Sequence, residues 1–195
     1  MWSNSELTRT QQVRRADILA AAIRLIAESG FAAGSVVEVA RSAETSKGTV
    51  LYHFGSKAAL NEAIVESLFQ SGRDYMRDAL EGVASPRDRF RIYLTSNLRF
   101  IADHAAHVIA VHRILENTVA PDPAPDAVAE LAALLLRGQR EGEFAAFDPF
   151  VASVMVRTII DGASFHLTEA AVDDVDRQIS EVVALLERAI GSEKP

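Results

Sequence analysis

Within residues 45–60, TSKGTVLYHFGSKAAL, a lysine, a threonine hydroxyl, a phenol and an imidazole are crowded together, and a second lysine follows at once. Val50 and Phe54 stand four apart and can share the inner face of a short helix. Lys47, Thr49, Tyr52 and His53 are then left outside, and Gly48 lets the backbone come close to another body. An outer face of hydrogen-bond donors, thin enough to enter a major groove about 12 Å wide, suits nucleic acid. Lysines on either side suit phosphates.

Other combinations could do chemistry and are less well placed. His104 and His107 are three apart, with His112 or His166 as a third candidate ligand. No acidic residue stands at ligand spacing, so no metal site is assigned and no cofactor is expected. His166 and Asp161 are five apart and do not stack on one helix face. With no cysteine and no glycine-rich phosphate loop after a strand, the chain is not read as an enzyme.

The elements that must position these residues read as helices throughout, so the fold class is all-α. Residues 10–29 carry an apolar face, closed by Gly30. Ser35 to Glu38 reads as a capping box opening a short helix to about Ser42. Residues 43–45 are the turn, and Ser46 caps the next helix, residues 47–53. Ser56 caps a long helix to about Leu80. Ser85-Pro86 and Asp148-Pro149 are caps with proline at the first helical position. They open helices to about Asp103 and Ala170. Residues 104–116, 127–141 and 173–190 complete the set, and prolines 121, 123 and 125 mark a loop. Three helices in about 55 residues are followed by six in about 140.

The 195 residues are 49% apolar and 24% charged, enough to bury a core. The net charge of −7 is unevenly spread. Residues 1–60 carry seven basic and five acidic side chains, and the remainder 13 and 22. A mildly basic head on an acidic body points to an anionic partner for the head alone. No run of about 18 uncharged apolar residues exists, so no membrane partner is expected. The absence of cysteine suits a cytoplasmic location.

Two short helices separated by a three-residue turn form a helix-turn-helix. The segment AETSKGTVLYHFGSKAAL resembles the recognition-helix signature of the tetracycline-repressor (TetR) family of bacterial transcription regulators. ILAAAIRLIAESGFAAGSVVEVA resembles that family's first two helices. The resemblance covers about residues 13–64. It implies that Ser35 and Val36 approach the DNA backbone and that Lys47, Gly48 and Thr49 read base edges. Tyr52 and His53 would contact phosphates or adjacent base edges, and Lys57 a phosphate. Leu51 departs from a frequently aromatic or polar position in the family, and would contact a thymine methyl or simply pack. Arg14 and Arg15 are further candidates for the flanking backbone. Glu44 stands where the family has glycine in the turn.

The expected division is residues 1–56 for DNA binding and 57–195 for ligand binding and dimerisation. Dimers read symmetric half-sites. Val154, Ile159, Gly162 and Ala163, with Ile179, Val182, Val183 and Leu186, are the expected homodimer interface. A small hydrophobic or amphipathic effector would lie among Phe69, Phe90, Tyr93, Leu94, Asn97 and Phe100. Ile101, His104, Val108, Val111, Phe147 and Phe165 would complete its lining. The expectation is a dimeric, effector-released repressor of a palindromic double-stranded DNA operator. The alternative is an architectural or activator-type DNA-binding protein without an effector, which the acidic body disfavours.

Overall fold

The computed structural model describes residues 8–118 and 126–191. The described residues form nine α-helices: α1 (Arg9–Ser29), α2 (Val36–Ser42), α3 (Lys47–Phe54), α4 (Lys57–Leu80), α5 (Pro86–Asp103), α6 (Ala105–Asn117), α7 (Ala127–Arg140), α8 (Pro149–Leu167) and α9 (Val172–Ile190). The all-α class holds, and the caps at Ser46, Ser85 and Asp148 lie where the sequence places them. A one-turn 3-10 helix at Phe31–Ala33 was not expected. Ser35 accepts from the Glu38 N–H at 3.2 Å. Only that half of the expected capping box forms, because the Glu38 carboxylate pairs with Arg41 instead.

The chain divides into two compact units. The first takes residues up to Leu68 together with 106–121. It therefore holds α1, α2, α3, the first half of α4, and α6. Buried here are Ile18, Ala22 and Ile26 of α1, Val39 and Ala40 of α2, and Val50 and Phe54 of α3. Leu60 and Ile64 of α4 and Val108, Val111 and Ile114 of α6 are buried as well. Arg113 of α6 donates to the carbonyls of Ile26 and Ala27 at 2.7 and 3.1 Å, satisfying acceptors that the end of α1 leaves open. These units are drawn by packing. The sequence-based division at 56/57 concerns which part reads DNA, and it remains a proposal.

The second unit holds residues 69–105 and the chain from 122 onward. Its core is Phe90, Leu94 and Leu98 of α5, Leu131 and Leu135 of α7, Val156 and Ile160 of α8, and Val175, Ile179, Val183 and Leu186 of α9. Phe144, after α7, lies edge-on to Phe90 with ring centroids 5.9 Å apart. Its ring presses on Gly138, where any side chain would overlap it. By length and apolarity alone α8 would pass for a membrane-crossing helix. Its inner face is nonetheless buried in this unit, and Arg157 bonds Asp161 one turn on.

Candidate nucleic-acid interface

The helix-turn-helix is built from local hydrogen bonds. The Thr49 N–H donates to Ser46 Oγ at 3.0 Å, and the Ala59 N–H donates to Ser56 Oγ at 3.1 Å, fixing the first turns of α3 and α4. At the end of α2 the Thr45 N–H reaches the Ala40 carbonyl at 2.9 Å, and the Glu44 N–H reaches that of Arg41 at 3.2 Å. This pair of bonds is a Schellman motif, which holds its outer residue in the left-handed region. That residue is Glu44, with φ 48°, the one non-glycine at positive φ among the described residues. The second unit repeats the motif after α7 with Gly142 at that place (φ 73°).

Val50 and Phe54 are buried, as the spacing predicts, with Val39 and Ala40 behind them. Lys47, Gly48 and Tyr52 are exposed, Tyr52 at 69%. Thr49, Leu51 and His53 are half-buried on the same helix, and Ser35 and Val36 are half-buried at the start of α2. A Cβ on Gly48 would meet nothing nearer than Ser46 Oγ at 3.5 Å, so the protein's own packing does not call for glycine there. The Thr49 hydroxyl is 2.9 Å from Ser46 Oγ and shares its hydrogen bonding with the cap.

Two cations proposed for phosphates already have partners. Lys57 Nζ lies 4.3 Å over the Phe31 ring and donates to the Phe31 carbonyl at 3.4 Å. Arg15 stacks 4.1 Å over Phe54 and donates to the His53 carbonyl at 2.6 Å, closing the end of α3. Arg14 is exposed. His53 Nδ1 is buried with no hydrogen-bond partner in the protein. Burial first, then the positive charges of Arg15 and Arg14, push the His53 pKa below its ordinary 6.5. The neutral form of the imidazole is thereby favoured.

The twelve expected effector-lining residues fall in both units. Phe90 and Leu94 are in the second unit's core, with Tyr93, Ile101 and Phe147 packed against it. Asn97 donates to the Tyr93 carbonyl at 2.8 Å. Phe100 stacks on His104 with centroids 4.1 Å apart. Val108 and Val111 belong to the first unit, and Phe69 to the second. Phe165 is 53% exposed, so it points out of its unit rather than into a cavity. The second unit does have a concavity of about 240 Å³ lined by Leu98, Ala163, His166, Leu167, Ile179 and Val182, among others. None of the twelve borders it.

The expected dimer surface needs a correction. Ile179, Val183 and Leu186 are buried in their own unit's core and cannot also form an outer face. Val154 (37% exposed) and Gly162 do face outward, while Ile159, Ala163 and Val182 are half-buried. The apolar surface also includes Phe150, Val151 and Met155 of α8 and Leu185 of α9. Among the described residues no group of three or more His, Asp or Glu is placed to hold a metal ion. His104 Nδ1 is 2.9 Å from the Phe100 carbonyl, and His107 Nε2 is 2.9 Å from that of Ile64.

Sequence reasoning missed Arg113 and Gln11. The Thr8-x-x-Gln11 spacing is a capping-box signal and α1 does begin there. No local signal announces that Gln11 Nε2 donates to Tyr52 Oη at 3.0 Å, 41 residues away.

The family described as bacterial regulatory proteins, tetR family, matches residues 18–64, which include the whole helix-turn-helix. A curated relative, the HTH-type transcriptional regulator BetI of Rhizobium meliloti (strain 1021), is 34% identical over 89 residues. That match spans 46% of this chain and 44% of the relative, so less than half of either. A solved tetR-family regulatory protein from Rhodococcus RHA1 shares the fold at TM-score 0.79, with 22% identity over 93% of this chain and 98% of that one. AibR, solved in complex with isovaleryl coenzyme A and operator DNA, shares it at TM-score 0.73, with 19% identity over 90% of this chain and 97% of that one. The helix-turn-helix segment, within residues 18–64, thus matches the tetR family of bacterial regulatory proteins in sequence, and the described helices share the fold of solved tetR-family proteins.

Proposed function

We propose that the chain is a cytoplasmic, effector-responsive repressor that reads an inverted-repeat operator as a homodimer. The observation that carries this reading is the outer face of α3. Lys47, Gly48, Thr49 and Tyr52 line a helix whose buried side is fully occupied and whose glycine serves no internal need. Eight residues span about 12 Å, the width of a major groove. The exposed apolar residues of α8 and α9 support a dimer, because several large apolar side chains left exposed on neighbouring turns of one helix suit an interaction site. A C2 pair would place two copies of α3 about 34–36 Å apart, in successive major grooves. AibR's complex with both a coenzyme A thioester and operator DNA supports an effector for this chain as well. Such an effector acts only through its different affinity for the DNA-competent and released states. Regulatory sign follows the same reading: occupancy of the operator blocks transcription and the effector relieves it.

The test is anisotropy titration of a labelled 30-base-pair duplex at about 0.05 and 0.2 M salt. The wild-type chain binds with a steep log–log salt dependence. Lys57→Ala, which frees the Phe31 carbonyl and removes a phosphate partner, lowers that slope by about one unit. No binding at the lower salt would remove the DNA reading, and an unchanged slope would remove Lys57 from the phosphate contacts.

A further inference from the structure

Tyr52 is a large, exposed side chain, and one residue of α1 determines what its hydroxyl can do. Thr8 caps α1, and its N–H lies 2.8 Å from Gln11 Oε1. A backbone N–H only donates, so the amide atom facing it must be the carbonyl oxygen. The Thr8 hydroxyl donates to the same oxygen at 3.1 Å and accepts from the Gln11 N–H at 3.4 Å. With both bonds on Oε1, the Gln11 amide cannot flip without losing the capping box. Its NH2 therefore faces the Tyr52 phenol at 3.0 Å. An NH2 group also only donates, so Tyr52 Oη is the acceptor in that bond. Its own proton is left to point elsewhere, on a side chain 69% exposed beside Lys47 and Gly48.

We propose that Gln11, fixed by Thr8, is a positioning residue that presents Tyr52 as an outward hydrogen-bond donor to a phosphate oxygen of double-stranded DNA. The inference rests on the DNA-reading role of α3 and names a second helix that serves it. A phosphate offers only acceptors, so the polarity matters as much as the position: a phenol that spent its proton on α1 would meet the phosphate lone pair to lone pair. The rings of Tyr52 and His53 stand edge-on with centroids 5.2 Å apart, which limits the directions open to the phenol. The contact is neutral, so it releases no counterion and adds affinity without adding salt dependence.

The test is a double-mutant cycle on the full chain with Gln11→Met, Tyr52→Phe and the pair, read as affinity for one fixed duplex of arbitrary sequence at low salt. Phosphate contacts carry no sequence information, so no operator is needed. Each single change weakens binding about three- to tenfold, the range of one hydrogen bond. The pair weakens it no further than either alone, and the salt slope stays that of the wild type. Multiplied losses in the pair would overturn the proposal, since Gln11 would then act by a route other than Tyr52. Should Gln11→Met melt early, Gln11→Glu retains the capping box while ending donation to the phenol. In that background Tyr52→Phe costs nothing, whereas in the wild type it costs affinity; an equal cost in both would again overturn the proposal. Failure of the wild-type chain to bind the duplex at all is a separate result, and it would refute the DNA reading itself.

Discussion

Replacing Glu44 by glycine should stabilise the protein and tighten its hold on DNA, for two separable reasons. Glu44 occupies φ 48° because two backbone bonds, from Glu44 to Arg41 and from Thr45 to Ala40, close the end of α2 around it. A side chain in the left-handed region costs about 1–2 kcal/mol. Glycine removes that cost but gives the unfolded chain about 0.4–1 kcal/mol more entropy to lose. The net gain is about 0.5–1 kcal/mol, or about 1–4 °C in melting temperature for a chain of this size. The carboxylate adds a second effect. It is exposed in the turn that leads into α3, where it opposes phosphates, and its effect fades with salt. Glu44→Ala separates the two, because alanine keeps the backbone cost and drops the charge. Calorimetric melting should rank glycine above glutamate and alanine, while duplex titration should rank glycine and alanine equally above glutamate. If alanine stabilises as much as glycine, backbone strain at residue 44 is not the cause.

Gly48→Ala separates folding from recognition at the other end of the turn. The fold has room for the methyl group, so stability should rise by up to about 1 kcal/mol while DNA affinity falls; retained affinity would show that nothing approaches Gly48 closely. His53 should make the protein acid-sensitive. Its folded-state pKa lies below the ordinary 6.5, so the unfolded chain takes up the proton first as pH falls. Its contribution to stability is present above that value and is lost as pH drops through it toward the lower folded value. His53→Gln should therefore narrow the difference in melting temperature between roughly pH 7.5 and 5.5, the window in which histidine titrates; an unchanged difference would place the sensitivity elsewhere. In the second unit, Gly138→Ala drives a methyl into the Phe144 ring and should destabilise the fold by about 1–3 kcal/mol. Phe144→Leu should recover part of that loss in melting temperature, and no recovery would mean the ring is not the obstacle.

What could be read from the sequence is what is encoded over a few neighbouring residues. Ser46, Ser56, Ser85-Pro86 and Asp148-Pro149 announce helix starts because a cap acts on the next three residues. The outer face of α3 was legible because Val50 and Phe54, four apart, define the inner one. Periodicity also showed that α9 has one apolar face, but it does not say what covers that face. Ile179, Val183 and Leu186 prove to face their own core. The bond between Gln11 and Tyr52 and the clamp of Arg113 on the end of α1 join residues 41 and more than 80 apart in sequence. Neither leaves a local trace. The packing of α6 with the N-terminal helices is hidden for the same reason.

If a dimer presents α3 twice to DNA, sequence is read at two half-sites. Selection of bound duplexes from a random double-stranded library by the purified chain, at two salt concentrations, tests it most directly. The expected result is enrichment of an inverted repeat whose half-sites lie one helical turn apart, about 10 base pairs centre to centre or a multiple of it, and which persists at the higher salt. A pool that stays random, with binding that vanishes as salt rises, would show a grip on the backbone alone and would contradict it.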